Sequence, residues 1–173
     1  LVSMPVFQGE LKPDTDRDIL KLAAIDRIAN SGKMFVGLVR GFGLKRGAFA
    51  ATAAWDVANI VVVGASERDM AGAVNRIREL QGGAVVYSDG KIIAELPMPI
   101  AGQTSELRME AIAERMETIQ KELERMGCRL SYAHLMLNTL TTTIVPALRI
   151  STDGLLGIRE GKVLDLIVAQ GKR

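Results

Sequence analysis

Apolar positions along the chain fall mainly into short runs punctuated by glycine. Ile60-Val61-Val62-Val63, stopped by Gly64, is the clearest strand, because β-branched side chains suit a pleated, packed surface. Met34 to Val39 predicts a second strand, and the small apolar stretch Ala48 to Ala54 predicts a buried one under close packing. Asp16 to Ile28 alternates weakly and fits helix or strand by pattern alone. The turn signal Asn30-Ser31-Gly32 and the new apolar run after it favour a strand for its middle. Ala84 to Tyr87 and Lys91 to Leu96 flank Ser88-Asp89-Gly90, an Asp-Gly hairpin turn.

Two stretches switch to helical spacing. Ser66 stands where an N-cap belongs, with Asp69 three residues on, and Met70, Ala73, Val74, Ile77 and Leu80 follow on one face. Gly82-Gly83 is the expected stop, since glycine adopts positive φ readily. Leu107 to Met126 is the longest predicted helix, with Met109, Ile112, Ala113, Met116, Ile119, Leu123 and Met126 on one side and Gly127 as its C′ residue. Leu130 to Val145 stays open by pattern, with Thr141-Thr142-Thr143-Ile144-Val145 favouring a strand. Turns are expected at Thr152-Asp153-Gly154 and Arg159-Glu160-Gly161, and Lys162 to Ala169 as a short closing element. Residues 1–14, with Pro5, Gly9 and Pro13, read as an irregular lead-in, and 15–173 as a single domain. The expected class is α+β: a mixed or mainly antiparallel sheet with hairpins, flanked by two main helices.

Composition narrows the function. With 48% hydrophobic residues but only 4% aromatics, 173 residues build one aliphatic core without disulfide or metal support. A net charge of +2, from scattered basic residues without interleaved aromatics, argues against nucleic acid as a partner. No apolar run approaches the ~20 residues that span a bilayer. The single cysteine, Cys128, fits a reducing, cytoplasmic setting. The start at Leu1-Val2-Ser3, without methionine, fits a fragment or a processed chain.

Candidate chemistry is sparse. A hydrolytic metal site needs several histidines and carboxylates converging, and this chain has one histidine, His134, among apolar neighbours. Its expected place is a packed site rather than a ligand set. Cys128 has no neighbouring base and reads as a bystander thiol. The loop Gly41-Phe42-Gly43-Leu44-Lys45-Arg46-Gly47 could cradle an anion with Gly41, Gly43, Lys45 and Arg46. It fits neither phosphate-loop nor dinucleotide spacing, so a structural turn with Lys45 and Arg46 exposed or facing a partner domain competes with that reading.

Several ordered segments carry a resemblance. They are Arg17-Asp18-Ile19-Leu20-Lys21, the loop 41–48, Asp56 with Asn59 to Gly64, Asp69-Met70-Ala71 with Ala73 to Arg76, Gln81-Gly82-Gly83, Glu95 to Gly102, and Ile144-Val145-Pro146. Together they resemble the C-terminal domain of bacterial adenine deaminases, amidohydrolases that turn adenine and water into hypoxanthine and ammonia. The resemblance implies that the divalent metal (Mn, Fe or Zn) lies in a separate N-terminal (β/α)₈ barrel, which needs roughly 200 residues or more and cannot fit here. It implies no catalytic residue, metal ligand or cofactor in this chain. The implied partner is the barrel domain, on the same or a separate chain, with a homo-oligomer and a purine ligand left open.

Within the resemblance, Trp55-Asp56-Val57-Ala58-Asn59 departs from the family's His-Asp-Ser-His-Asn run: Trp55 and Ala58 replace the histidines. Trp55, Asp56 and Asn59 are the candidate substrate-binding residues, by stacking, accepting a proton or hydrogen bond, and bonding a purine edge. The local alternative is that Asp56 and Asn59 cap turns beside a strand. Three functional readings follow: an accessory domain of a deaminase, a stand-alone purine or small-ligand module, and a structural oligomerisation domain.

Overall fold

The computed structural model describes residues 2–29, 31–52 and 58–168. Inside the lead-in, β1 (Val6–Phe7) and β2 (Glu10–Leu11) pair as a small antiparallel hairpin. Then come β3 (Ile19–Ile25), β4 (Met34–Arg40), β5 (Ala48–Ala51) and β6 (Ile60–Gly64). Next follow α1 (Glu67–Glu79), β7 (Gly83–Ser88), β8 (Lys91–Pro97), α2 (Met109–Arg125) and α3 (Ala133–Thr139). The last elements are β9 (Leu148–Ser151), β10 (Gly154–Gly157) and β11 (Lys162–Leu164), a three-stranded sheet in the order β11-β10-β9.

Six strands form the central antiparallel sheet, in the order β4-β3-β6-β5-β7-β8. The architecture is the expected α+β class, with a third, short helix added. Alternation along each strand sends residues to opposite faces. Leu20, Leu22, Phe49, Val61, Val63 and Val86 face α2, α3 and the small sheet, while Ala23, Ala48, Ala50, Val62 and Val85 face α1. Both faces of β5 and β6 are therefore buried, which explains why their sequences are continuously apolar rather than alternating.

Helix α1 begins as expected: the Ser66 side chain accepts from the Asp69 backbone N–H, and Met70, Ala73 and Ile77 are buried. Two ion pairs fasten it. Lys21 Nζ lies 2.6 Å from Glu67, linking β3 to the first turn and holding the Glu67 carboxyl below its ordinary range. Arg76 grips Glu95 on edge strand β8 with two bonds of 2.8 and 3.0 Å, which lowers the Glu95 pKa in the same way. The hairpin turn has positive φ at Asp89 and Gly90, the geometry its sequence calls for.

Three local expectations are corrected. The left-handed residue closing α1 is Gln81 (φ 62°), with Gly82 N–H bonded back to Ile77; Gly82 and Gly83 serve the crossing that follows. Thr141 to Val145 is a turn, not a strand. Thr141 and Thr142 donate their hydroxyls to the Asn138 carbonyl, so the threonines satisfy the end of α3 instead of a ladder. Finally, the apolar side of α2 is buried only in its second half: Ile119 and Leu123 are enclosed, whereas Met109 is 77% exposed.

His134 on α3 packs over Phe49 of β5, with ring centroids 6.2 Å apart and planes tilted 58°. Burial lowers its pKa from 6.5 to about 4, so the imidazole is neutral in the folded chain. The unfolded chain therefore binds more protons between these values. This contribution to stability is complete above pH 6.5 and is lost as pH falls toward 4. Between pH 6.5 and 5, above the range where the lowered carboxylates titrate, the loss should be about 2 kcal/mol. Urea denaturation across that window should show the slope in the wild type and a flatter profile in His134→Gln. Phe49 is fully buried in the central strand, so Phe49→Ala should cost about 3–5 kcal/mol in the same assay.

Candidate functional site

The described candidate residues separate to opposite ends of the central sheet. The glycine loop, 41–47, enters β5, and the run ending at Asn59 leaves it. The five-residue rise from Gly47 to Thr52 puts the two ends about 17 Å apart at roughly 3.4 Å per residue. No single ligand of purine size bridges them.

At the first end, the loop is anchored from within. Phe42 and Leu44 insert into the core at 3% and 0% exposure. The backbone N–H groups of Gly41 and Gly43 donate to the two carboxylate oxygens of Asp18 at 3.0 and 2.7 Å. The amides that would cradle an external anion are thus directed at an internal one. Lys45 bonds the Thr15 carbonyl through its ammonium and the Met126 carbonyl through its backbone N–H, and Arg46 is exposed. Gly43 lies against Gly127, where a Cβ on either would meet the other's carbonyl oxygen at 2.7 Å; both have positive φ. This contact seats the loop on the end of α2. The carboxylate of Asp18, itself at φ 55°, was not a candidate by pattern, because nothing local ties residue 18 to residues 41–43.

At the other end, Trp55 and Asp56 lie outside the described residues. Asn59 is described and stands just before β6. Its side-chain oxygen accepts the backbone N–H of Arg27 at 3.1 Å, extending the β3–β6 ladder by a side chain. Because a main-chain N–H faces only an acceptor, the amide nitrogen of Asn59 is the end turned away from Arg27. The bond joins two strand ends 32 positions apart, so it is a tertiary tie rather than a local turn cap. It also gives Asn59 a defined orientation in which it presents donors.

Thr52, fully buried, closes this end of the sheet. Its hydroxyl donates to the Gly102 carbonyl at 2.6 Å and accepts from Gly83 N–H at 2.8 Å, while its backbone N–H reaches the Gly83 carbonyl at 3.0 Å. One residue thereby joins the ends of β5 and β7 to the 98–102 loop. Its signal in the sequence was its polarity within an otherwise alanine-rich run. Arg27 completes the end: its guanidinium meets the carbonyls of Ala58, Gln81 and Ala101 at 3.2–3.3 Å. No local pattern announced Arg27, since its partners come from three distant connections.

A metal does not fit what is described. Among the described residues, no three His, Cys, Asp or Glu side chains gather into a site for an ion. His134 is half-buried, packs against Phe49 and has the Asn138 amide alongside its ring at 3.4–3.5 Å. Cys128 is buried, and burial pushes its thiol pKa up, away from reactivity. Among the described residues, no helix is long and apolar enough to cross a membrane.

Comparison with known proteins places this arrangement. Residues 1–162 match the adenine deaminase C-terminal domain. The adenine deaminase of Archaeoglobus fulgidus is 43% identical over 153 residues, which cover 88% of this chain and 27% of that protein. That of Brucella abortus is 41% identical over 155 residues, covering 90% of this chain and 27% of the relative. That of Moorella thermoacetica is 36% identical over 166 residues, covering 96% and 28%. The chain thus spans only 27–28% of the length of these relatives. With the family pattern running along nearly its whole length, the chain belongs to the adenine deaminase C-terminal domain family.

Proposed function

We propose that this chain is the C-terminal accessory domain of an adenine-deaminase-type amidohydrolase, which hydrolyses adenine to hypoxanthine and ammonia. It packs on a metal-bearing barrel and helps to close the purine site. The observation that carries the reading is the match along residues 1–162 by a chain that spans 27–28% of its relatives. One histidine is too few imidazoles for a hydrolytic metal site, so the metal, Mn, Fe or Zn, belongs to the barrel.

This chain's part is binding rather than bond cleavage. The oriented amide of Asn59 offers donors, and adenine's ring nitrogens accept hydrogen bonds. Asp56 supplies a carboxylate for an exocyclic or ring N–H, and Trp55 a face for stacking on the planar base. At the opposite end of the sheet, exposed Arg46 faces the partner domain, beside Lys45, whose ammonium is anchored on the Thr15 carbonyl. The uncovered side of edge strand β4 supports a packing role. There Met34 and Val36, 57% and 39% exposed, lie on the same face as Ala23 of β3, the face that α1 covers farther along the sheet over β5, β6 and β7.

The test is a chimera in which this chain replaces the matching region of the Archaeoglobus fulgidus enzyme, with ammonia release from adenine as the readout. The chimera should deaminate adenine, and the chain alone with Mn, Fe or Zn should not. Turnover by the chain alone overturns the accessory role, and a folded but inactive chimera overturns the family function. In the active chimera, Asn59→Ala and Asp56→Ala should each lower kcat/KM by about tenfold, the worth of one hydrogen bond.

A further inference from the structure

Among the described residues, seven non-glycine residues have positive φ. Three of them, Ala58 (46°), Gln81 (62°) and Ala101 (55°), lie on three different connections: β5 to β6, α1 to β7, and β8 to α2. Side chains with a Cβ adopt this conformation at a cost, and such residues persist where their surroundings over-determine them. Here the surrounding group is the same for all three. The carbonyl of Ala58 accepts from Arg27 at 3.3 Å, that of Ala101 at 3.2 Å, and that of Gln81 at 3.2 Å. One guanidinium therefore holds three strained carbonyls. The fourth contact is the Arg27 backbone N–H on the Asn59 amide oxygen at 3.1 Å. Gly102 makes room for the cation, since a Cβ there would stand 2.7 Å from the guanidinium carbon.

The sheet does not need Arg27 to close. Thr52 already ties β5 to Gly83 and Gly102 through bonds of 2.6–3.0 Å. What the Arg27 side chain adds is a hold on the carbonyl of Ala58, the residue before Asn59, while the backbone N–H of residue 27 holds the Asn59 side chain. The planar fork of arginine matches several acceptors in fixed directions, which a lysine ammonium cannot reproduce.

We propose that Arg27 is the positioning residue of the purine-facing end, holding Asn59 as a hydrogen-bond donor toward a ring-nitrogen acceptor of the base. The proposal rests on the accessory-domain reading for the identity of the ligand. The hub of three carbonyls stands independently of it. Arg27 acts on affinity for the base, not on bond cleavage, because it reaches the ligand only through Asn59.

Two measurements separate the parts. In this chain alone, amide hydrogen exchange of Arg27→Lys should be at least tenfold faster at Ala58, Asn59, Gln81 and Gly102, and unchanged at Val61, Val62 and Val63. Unchanged exchange at the loop positions overturns the proposal whatever the chimera does. In the Archaeoglobus chimera, Arg27→Lys should raise the KM for adenine about tenfold with kcat held within about threefold. In Arg27→Ala, millimolar guanidinium should restore KM toward the parent. A fall in kcat equal to the rise in KM without rescue, or an unchanged KM in an active chimera, overturns the positioning role and leaves the accessory-domain reading intact. An inactive parent chimera removes that reading, and the purine half of this proposal with it.

Discussion

The close approach of α1 to the alanine-lined face of β5 is the contact on which the rest of the fold depends. Ala48 and Ala50 on the strand meet Met70, Ala73 and Ile77 on the helix, all but sealed from solvent. Small side chains on the strand let the helix sit near the backbone of the middle of the sheet. The opposite side of β5 presents Phe49 to α3 and the second core. The central strand is thus thin on one side and bulky on the other. A four-residue strand buried on both faces has little tolerance for slippage, because a one-residue shift would exchange Phe49 with alanine.

That rigidity explains why the two ends of the sheet differ in construction. At the end where the glycine loop enters, neutralisation is internal. The Asp18 carboxylate takes two loop amides, and the Lys45 ammonium takes the Thr15 carbonyl, so charge is spent on holding the chain. At the other end the chain is held by a cation surrounded by carbonyls and by a buried threonine hydroxyl. The first arrangement is self-contained. The second gathers three connections around one guanidinium beside Asn59.

Secondary structure was largely legible where one residue type dominated a run. The valines of 60–63, the Ser66 cap with its helical spacing, and the Asp-Gly hairpin each carry their instructions within a few residues. Thr141 to Val145 misled because β-branched residues favour strands only when a ladder partner exists; here the hydroxyls found the carbonyl at the end of α3 first. The closure of α1 misled by one residue for a related reason. Gln81 accepts a left-handed conformation because Arg27 takes its carbonyl, which leaves Gly82 and Gly83 for close crossings with Met98 and Leu96.

By itself, the sequence determined the class of the fold, its aliphatic core and the family likeness carried by short ordered segments. These are properties of composition, local period and spacing, which need no knowledge of distant neighbours. Only the tertiary structure decided that the glycine loop and Asn59 lie at opposite ends of one strand, that the loop's amides are answered by Asp18, and that Arg27 and Thr52 organise the far end. Those facts depend on pairs separated by 23 to 74 positions along the chain. Hydrogen bonds of that span arise from strand order and helix placement, which a linear pattern does not encode.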